Sequence, residues 1–438
     1  MPLRSKNMEN SKKARKPSVS RVMPDMLVEL VYDPDRRATA LVVCRDGADW
    51  TIEQEVERQG EILVPYAPTN NLIENECVKL PSKPEDHGSR RELVTEIESF
   101  LHRYVDVSPL FEKIAAHYIL LSWVYDAFNE VPYLRLQGRY GSGKTRGLLA
   151  IGSLAYKAFF ASGASTTSPI FHTLDAFTGT LVLDEADFRF SDATSDLVKI
   201  FNNGTVEGLP VLRTIQNRQK EFNPQAFRVF GPKIVGMRGS FEDEALESRF
   251  ITEFTGHSSL RSDIPIHLPT TFKAEALALR NKLLHFRLTE RGKVVLDPAA
   301  MDQEKAPRLR QIAAPLLSLV DDLSLRAEIA AELASQYEAI PARRAQSIEA
   351  RIAGILHQAF TETSRTCVPL REVAEKVNER YGDEVGESMT SKVVGGILRT
   401  RLDIKTSKRG GNYVVPHTEK KKVESLSNEF ASGEQLST

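Results

Sequence analysis

Residues 1 to 24 are rich in Lys, Arg, Ser, Asn and Pro and carry few apolar side chains. Burial cannot repay the ordering of such a segment, so a disordered basic arm is expected. Short β-prone runs follow at Leu27 to Tyr32, Ala38 to Cys44, Glu61 to Tyr66 and Cys77 to Leu80, divided by Asp-Pro, Arg-Asp-Gly and Pro-Thr-Asn-Asn turns. They predict a small β-rich module over 25–85. Pro81 to Ser89 reads as a polar linker, and beyond it apolar residues recur at helical spacing through Leu93, Ile97, Phe100, Leu101 and Tyr104, then from Phe111 to Phe128. Between about 131 and 255 the two rhythms alternate. Strands are expected at Tyr133 to Leu136, Thr180 to Leu183 and Lys233 to Met237, and helices at Lys144 to Phe159, Pro169 to Phe177 and Asp192 to Phe201. That alternation predicts an α/β domain with a largely parallel sheet. Residues 272–345 read as almost continuous helix. Three amphipathic segments, Ile348 to Phe360, Arg371 to Tyr381 and Met389 to Leu402, then precede a hairpin turning on Gly-Gly-Asn, and 418–438 are expected to be disordered.

Composition narrows the function classes. At 438 residues, with 41% hydrophobic and 27% charged residues, the chain has enough apolar surface for a sizeable core and enough length for two to four folding units at ~150 residues each. The longest apolar stretches, such as Tyr118 to Val124 and Ala313 to Val320, fall far short of the roughly 18–20 residues a bilayer span needs, so no membrane partner is expected. The first 22 residues hold seven Lys/Arg against one Glu and no apolar run, which does not fit a secretory signal and points to the cytoplasm. Cys44, Cys77 and Cys367 have neither CxxC spacing nor nearby histidines, so reduced thiols are expected rather than a disulfide frame or cysteine–zinc site. A net charge of −1 supplies no global field for a polyanion. Basic residues cluster locally instead, in the amino-terminal arm and over 391–416, where Lys392, Arg399, Arg401, Lys405, Lys408 and Arg409 face Asp403 alone.

The sharpest chemical signal is Gly138-Arg139-Tyr140-Gly141-Ser142-Gly143-Lys144-Thr145, a G-x-x-x-x-G-K-[ST] phosphate loop placed after an apolar strand and before an apolar helix that opens with Arg146. Glycines let backbone N–H groups face inward on phosphate oxygens, and the helix N-terminus adds a favourable dipole. Lys144 brings a point charge to the terminal phosphates, and the Thr145 hydroxyl can enter a Mg²⁺ shell. The alternative is a Gly-rich turn with a solvated lysine. Forty residues on, Gly179-Thr-Leu-Val-Leu-Asp184-Glu185-Ala-Asp187 ends a buried-type strand on adjacent acids. Asp184 suits Mg²⁺, and Glu185 suits a water that attacks the γ-phosphate of ATP. The bland reading is that both acids cap the next segment.

These residues resemble an AAA+ ATPase, and over roughly 92–416 the chain looks similar to the minichromosome-maintenance-like helicases of mobile genetic elements, including staphylococcal cassette chromosomes. The specific likeness rests on Gly231-Pro-Lys-Ile-Val-Gly-Met-Arg-Gly-Ser-Phe-Glu-Asp-Glu-Ala-Leu-Glu-Ser-Arg-Phe250 and on Pro307-Arg-Leu-Arg-Gln-Ile. The resemblance implies an ATPase core over 90–260, a helical lid over 261–345 and a winged helix over 346–417. It implies that Arg249 is an arginine finger reaching a neighbouring subunit's γ-phosphate; the alternative is an ion pair with Glu244 or Glu247. A first sensor is implied at Arg238, where the family usually has a small polar residue, so its mechanism is left open. A second sensor falls on Arg310 or Arg308, both of which could equally be solvated helix positions.

Leu209 to Phe230 reads as strand, polar tip, strand. In related helicases such a hairpin enters the ring pore, which singles out Arg218 and Lys220 for DNA; a merely soluble turn is the alternative. In the carboxy-terminal module Lys392, Arg399 and Arg401 would lie on a DNA-facing helix and Lys408 and Arg409 at a wing tip, although such modules also dock proteins. The leading expectation is a homo-oligomeric, hexameric, ATP- and Mg²⁺-dependent helicase acting on single-stranded or forked DNA. A remodeller or helicase loader without unwinding, and a nucleotide-gated DNA-binding switch, are the competing readings.

Overall fold

The computed structural model describes residues 14–434 apart from 46, 48, 59, 164, 187–191, 217–221, 242, 257–260, 298–305, 346, 363–364 and 386–388. The chain divides into two compact units, one of residues 1–240 with 249–333 and the other of 241–248 with 334–438.

The first unit begins with strands β1 (Ala14–Ser18), β2 (Ser20–Met23), β3 (Met26–Asp33), β4 (Ala38–Arg45), β5 (Asp49–Glu53), β6 (Val56–Arg58) and β7 (Glu61–Pro65). Strands β2-β3-β4-β5 form an antiparallel sheet, while β1 runs parallel to β7 and β6 antiparallel to it. The basic arm expected over 1–24 therefore ends sooner: residues 14–23 pair as strands, because Ser18 and Val19 are buried and Arg21 and Val22 pair with Val28 and Leu27. Cys77 to Leu80 forms no strand of its own. It makes a single bridge, Val78 to Phe159, just after the short helix α1 (Asn71–Glu74).

Helix α2 (Arg90–Tyr104) starts on a capping box in which Ser89 and Glu92 satisfy each other's backbone N–H groups. Helix α3 (Pro109–Val124), capped by Ser108, is buried at nearly every position from Ile114 to Val124. The alternating region then supplies β8 (Tyr133–Gln137), α4 (Lys144–Leu154), β9 (Phe159–Ser162), α5 (Thr167–Phe177), β10 (Leu181–Asp184), α6 (Asp192–Asn203), the β11 (Val211–Gln216) and β12 (Phe222–Phe227) hairpin, β13 (Lys233–Met237), α7 (Glu244–Glu247) and β14 (Phe250–Phe254). The helix expected from Lys144 to Phe159 stops at Leu154. Lys157 takes a positive φ of 43°, which no helix continues, and Phe159 opens a strand.

Five strands form one parallel sheet in the order β14-β8-β13-β10-β9. Period-two alternation gives β8 two buried faces. On one, Leu136 touches the α4 surface so closely that a Cβ on Gly147 would lie 2.4 Å from its Cδ1. On the other, the Tyr133 ring packs 5.6 Å from Phe201 of α6 and 5.3 Å from Phe250. Since β13 is inserted between β8 and β10, the segments following β8 and β10 flank a common crevice at the carboxyl ends of the strands, where ligands of parallel sheets bind.

Helix α8 (Phe272–Glu290) closes this unit against the amino-terminal sheet through buried charge. Glu29 of β3 meets Lys157 Nζ at 2.7 Å and Arg287 Nε at 2.7 Å, and the other face of Arg287 holds Asp126 at 2.8 Å. Burial pushes Glu29 and Asp126 upward, but their cations outweigh it: Lys157 and Arg287 hold Glu29 below the usual carboxylate range, and Arg287 and Arg291 bring Asp126 to about 2. Burial lowers Lys157 to about 8, against the pull of Glu29. Helix α9 (Pro307–Leu317) follows, and the second unit takes over within α10 (Leu323–Ala345).

Besides α7, the second unit contains α11 (Ile348–Glu362), β15 (Cys367–Pro369), α12 (Leu370–Val385), α13 (Ser391–Thr400), β16 (Ser407–Arg409), β17 (Asn412–Pro416) and α14 (Lys420–Glu434). Its antiparallel sheet runs β15-β17-β16, and the β16–β17 turn uses Gly410 and Gly411 at φ 56° and 86°. The tail expected to be disordered over 418–438 is helical over Lys420–Glu434. Val423, Leu426 and Phe430 recur at helical spacing and join the core of Ile352, Leu356 and Phe360. Among the described residues no helix is long and apolar enough to cross a membrane, and Cys44, Cys77 and Cys367 are free thiols.

Candidate functional site

The loop from Gly138 to Gly143 leaves the carboxyl end of β8 and leads into α4. Gly143 caps α4 in the left-handed region at φ 89°, a conformation that costs a residue with a Cβ about 1–2 kcal/mol. Gly138 is required by proximity: a Cβ there would lie 2.4 Å from Thr255 Oγ1 and 2.6 Å from the Thr255 carbonyl. Thr255 also meets Ser142 Oγ at 2.7 Å, and its N–H donates to the Gln137 carbonyl at 2.7 Å, so the end of β14 braces the loop. Lys144 folds over the loop, donating to the carbonyls of Gly138 at 2.8 Å and Arg139 at 2.7 Å. Tyr140 stands almost wholly in solvent, 93% exposed. Arg146 points away from the loop and donates to the carbonyls of Pro265 and Ile266, fixing the segment that leads to α8.

Across the crevice Asp184 ends β10. Thr145 Oγ1 donates to Asp184 Oδ2 at 2.7 Å, and the Glu185 N–H donates to Asp184 Oδ1 at 2.9 Å. Glu185 is exposed and has φ 54°, a strained value for a side chain with a Cβ. The strain is held by its neighbours, since the Ala186 N–H donates to the Gly236 carbonyl and the Gly163 N–H to the Asp184 carbonyl. The bend turns the chain immediately after the metal-type carboxylate, leaving the second acid beside the crevice and out of the strand.

Arg238 follows the last residue of β13, at the strand ends shared by the loop and Asp184, and its carbonyl accepts from Gln137 Nε2 at 3.5 Å. Arg249 lies elsewhere. It precedes β14, its carbonyl accepts from the Tyr133 N–H at 2.9 Å, and its guanidinium binds Asn202 Oδ1. With Phe250 opposite Tyr133 in a parallel pair, Arg249 is at the end of the sheet remote from its own phosphate loop, about 13 Å of strand away. Arg308 on α9 is near enough to favour the charged form of Glu130, which precedes β8, although burial has the larger effect and raises that carboxyl. Arg310 is exposed on the same helix.

Strands β11 and β12 pair antiparallel, as the sequence predicts, with Gln216 opposite Phe222; Arg218 and Lys220 lie outside the described residues. In the second unit Lys392, Arg399, Lys408 and Arg409 are exposed. Arg399 donates to Thr406 Oγ1 at 3.0 Å, whereas Arg401 is ion-paired with Glu349 of α11. Sequence reasoning missed the brace from Thr255 and Gln137, because β14 is short and its contacts with the loop span more than 110 residues of chain.

No family model matches this chain, and no curated protein matches it. Among solved structures, the apo NrS-1 C-terminal region aligns over 89% of this chain and 96% of its own, at 12% identity and a TM-score of 0.32. JCV helicase with a bound acetamide compound aligns over 58% of this chain and 61% of its own, at 15% identity and a TM-score of 0.25. Values this low carry no argument about what the chain does.

Proposed function

We propose that the first unit is an AAA+ ATPase core and that the chain is an ATP-hydrolysing DNA motor, a ring-forming helicase serving replication of a mobile element. The observation that carries the nucleotide site is the 2.7 Å contact between Thr145, the last residue of the phosphate-loop motif, and Asp184, on a strand separated from β8 by β13. An alcohol and a carboxylate oxygen side by side are the hard donors that Mg²⁺ takes. These two residues would hold it, and when bound it neutralises charge between the outer phosphates.

Each remaining residue then has a task. Backbone N–H groups of the loop at the N-terminus of α4 would face the phosphates, the Ser142 N–H leaving the Arg139 carbonyl it reaches at 3.3 Å. Lys144 exchanges its two carbonyl partners for the terminal phosphate oxygens. Glu185, free of the strand, orients the attacking water and takes its proton. Arg238, at the shared strand ends, would contact the γ-phosphate. Arg249 is too far from its own loop to serve it, which supports a role in trans at a neighbouring subunit's site. The order α11, β15, α12, α13, β16, β17 in the second unit supports the winged-helix reading, with Lys392, Arg399, Lys408 and Arg409 available to phosphates and Arg401 withdrawn by Glu349.

The test is an ATPase assay with and without single-stranded and forked DNA, beside light-scattering mass with and without ATP. The proposal expects DNA-stimulated hydrolysis by an oligomer, and strand displacement that Lys144→Ala and Glu185→Gln abolish. Stimulated hydrolysis without displacement would assign the chain to the remodellers or loaders, and DNA binding without turnover to a nucleotide-gated switch.

A further inference from the structure

The segment 81–89 is no free linker: Ser82 and Glu85 are tied to α8 by the Asn281 side chain and carbonyl. This clamp brings together three side chains that the nucleotide site does not use. His87 Nδ1 and His285 Nδ1 face each other at 2.8 Å, and Asp86 Oδ1 lies 3.8 Å from His285 Nδ1. One ligand atom from each of the three falls within 4.8 Å of the others. The cluster opens onto a cavity of about 450 Å³ walled also by Arg90, Glu290 and Asp321. Arg90 is paired to Glu290 at 3.3 Å, which also holds Lys293 at 2.9 Å, and to Asp321 at 2.8 Å.

We propose that Asp86, His87 and His285 form a binding site for a divalent transition-metal ion of the zinc class. Two imidazole nitrogens and one carboxylate oxygen are the ligand set that such ions prefer over Mg²⁺ or Ca²⁺, and three protein ligands leave a fourth position for water from the cavity. At metal–nitrogen distances of about 2.0–2.1 Å, tetrahedral ligands stand roughly 3.3 Å apart, so the two rings separate by about half an ångström and the carboxylate closes on His285 by a similar amount. The surroundings hold the ligands ready. The Gly88 N–H donates to Asp86 Oδ1 and the His87 ring packs edge-on against Phe286, while the ion would take the His285 Nδ1 lone pair that the His87 N–H reaches at 3.4 Å. A bound ion would cross-link residues 198 positions apart and lock segment 86–87 to α8.

The experiment uses the full chain after chelator treatment, titrated with Zn²⁺ against a chromophoric indicator, with Co²⁺ as a spectroscopic substitute and thermal unfolding as a second readout. The proposal expects one tight equivalent, visible Co²⁺ absorption of a four-coordinate site and a raised Tm. His285→Ala and the more conservative His285→Asn should each weaken binding at least tenfold, while Cys77→Ser leaves it unchanged. Absence of a bound equivalent, or undiminished affinity in a folded His285→Asn chain, would overturn it.

Discussion

Arg287→Met tests how the first unit is held together. The guanidinium of Arg287 is 1% exposed, donates to Glu29, to both oxygens of Asp126 and to the Trp123 carbonyl, and lies 4.6 Å from the Tyr156 ring centre. Methionine fills similar space but leaves Glu29 with Lys157 as its neighbouring cation and Asp126 with Arg291 at 3.5 Å. Removing one partner from a buried ionic cluster costs about 3–5 kcal/mol, a large share of the 5–15 kcal/mol typical of a domain. One part can be worked out separately. Asp126 sits at about 2 instead of 3.8, worth roughly 2 kcal/mol at neutral pH. Because the folded pKa is depressed, that stability is present above about 3.8 and is lost as pH falls toward 2. Urea unfolding followed by fluorescence of the fully buried Trp123 should show the full loss at pH 7, and the acid-unfolding midpoint should move upward in the variant. A loss below about 1 kcal/mol with an unchanged acid transition would refute the reasoning.

Other outcomes follow from single contacts. Gly138→Ala places a methyl against Thr255 and should weaken ATP-analogue binding at least tenfold while circular dichroism stays unchanged. Phe430→Ala removes a 7%-exposed ring from the core of the second unit and should cost that unit about 3–5 kcal/mol, measured by limited proteolysis of α14 or denaturant unfolding. Arg249→Ala, mixed with Lys144→Ala, should restore part of the ATPase activity that each lacks alone if the finger acts in trans; purely additive inactivity would place Arg249 in a structural pair with Asn202.

The phosphate loop, the Asp184–Glu185 strand and the alternation of strands with helices were legible because each is a local pattern. The sheet order was not, since nothing in the β13 sequence says that it enters between β8 and β10. Phe159 was read as helix because apolar residues continue from Leu148 to Phe159, whereas the helix ends at Leu154, Ala155 turns extended at ψ 151° and Lys157 takes a positive φ. The helix over Lys420–Glu434 was missed because three apolar residues among many charges looked too few to repay ordering, whereas a preformed core accepts them at little cost. Segment 81–89 looked like a linker because its partners, Asn281 and His285, lie near 200 residues away.

Equilibrium binding of a fluorescent ATP analogue with Mg²⁺, in the full chain and in Lys144→Ala, tests the central claim most directly. The account predicts saturable binding in the native chain and at least a tenfold weaker affinity in the variant, with Asp184→Asn also losing the Mg²⁺ dependence. Equal affinity in both chains, or no affinity in the native one, would contradict it.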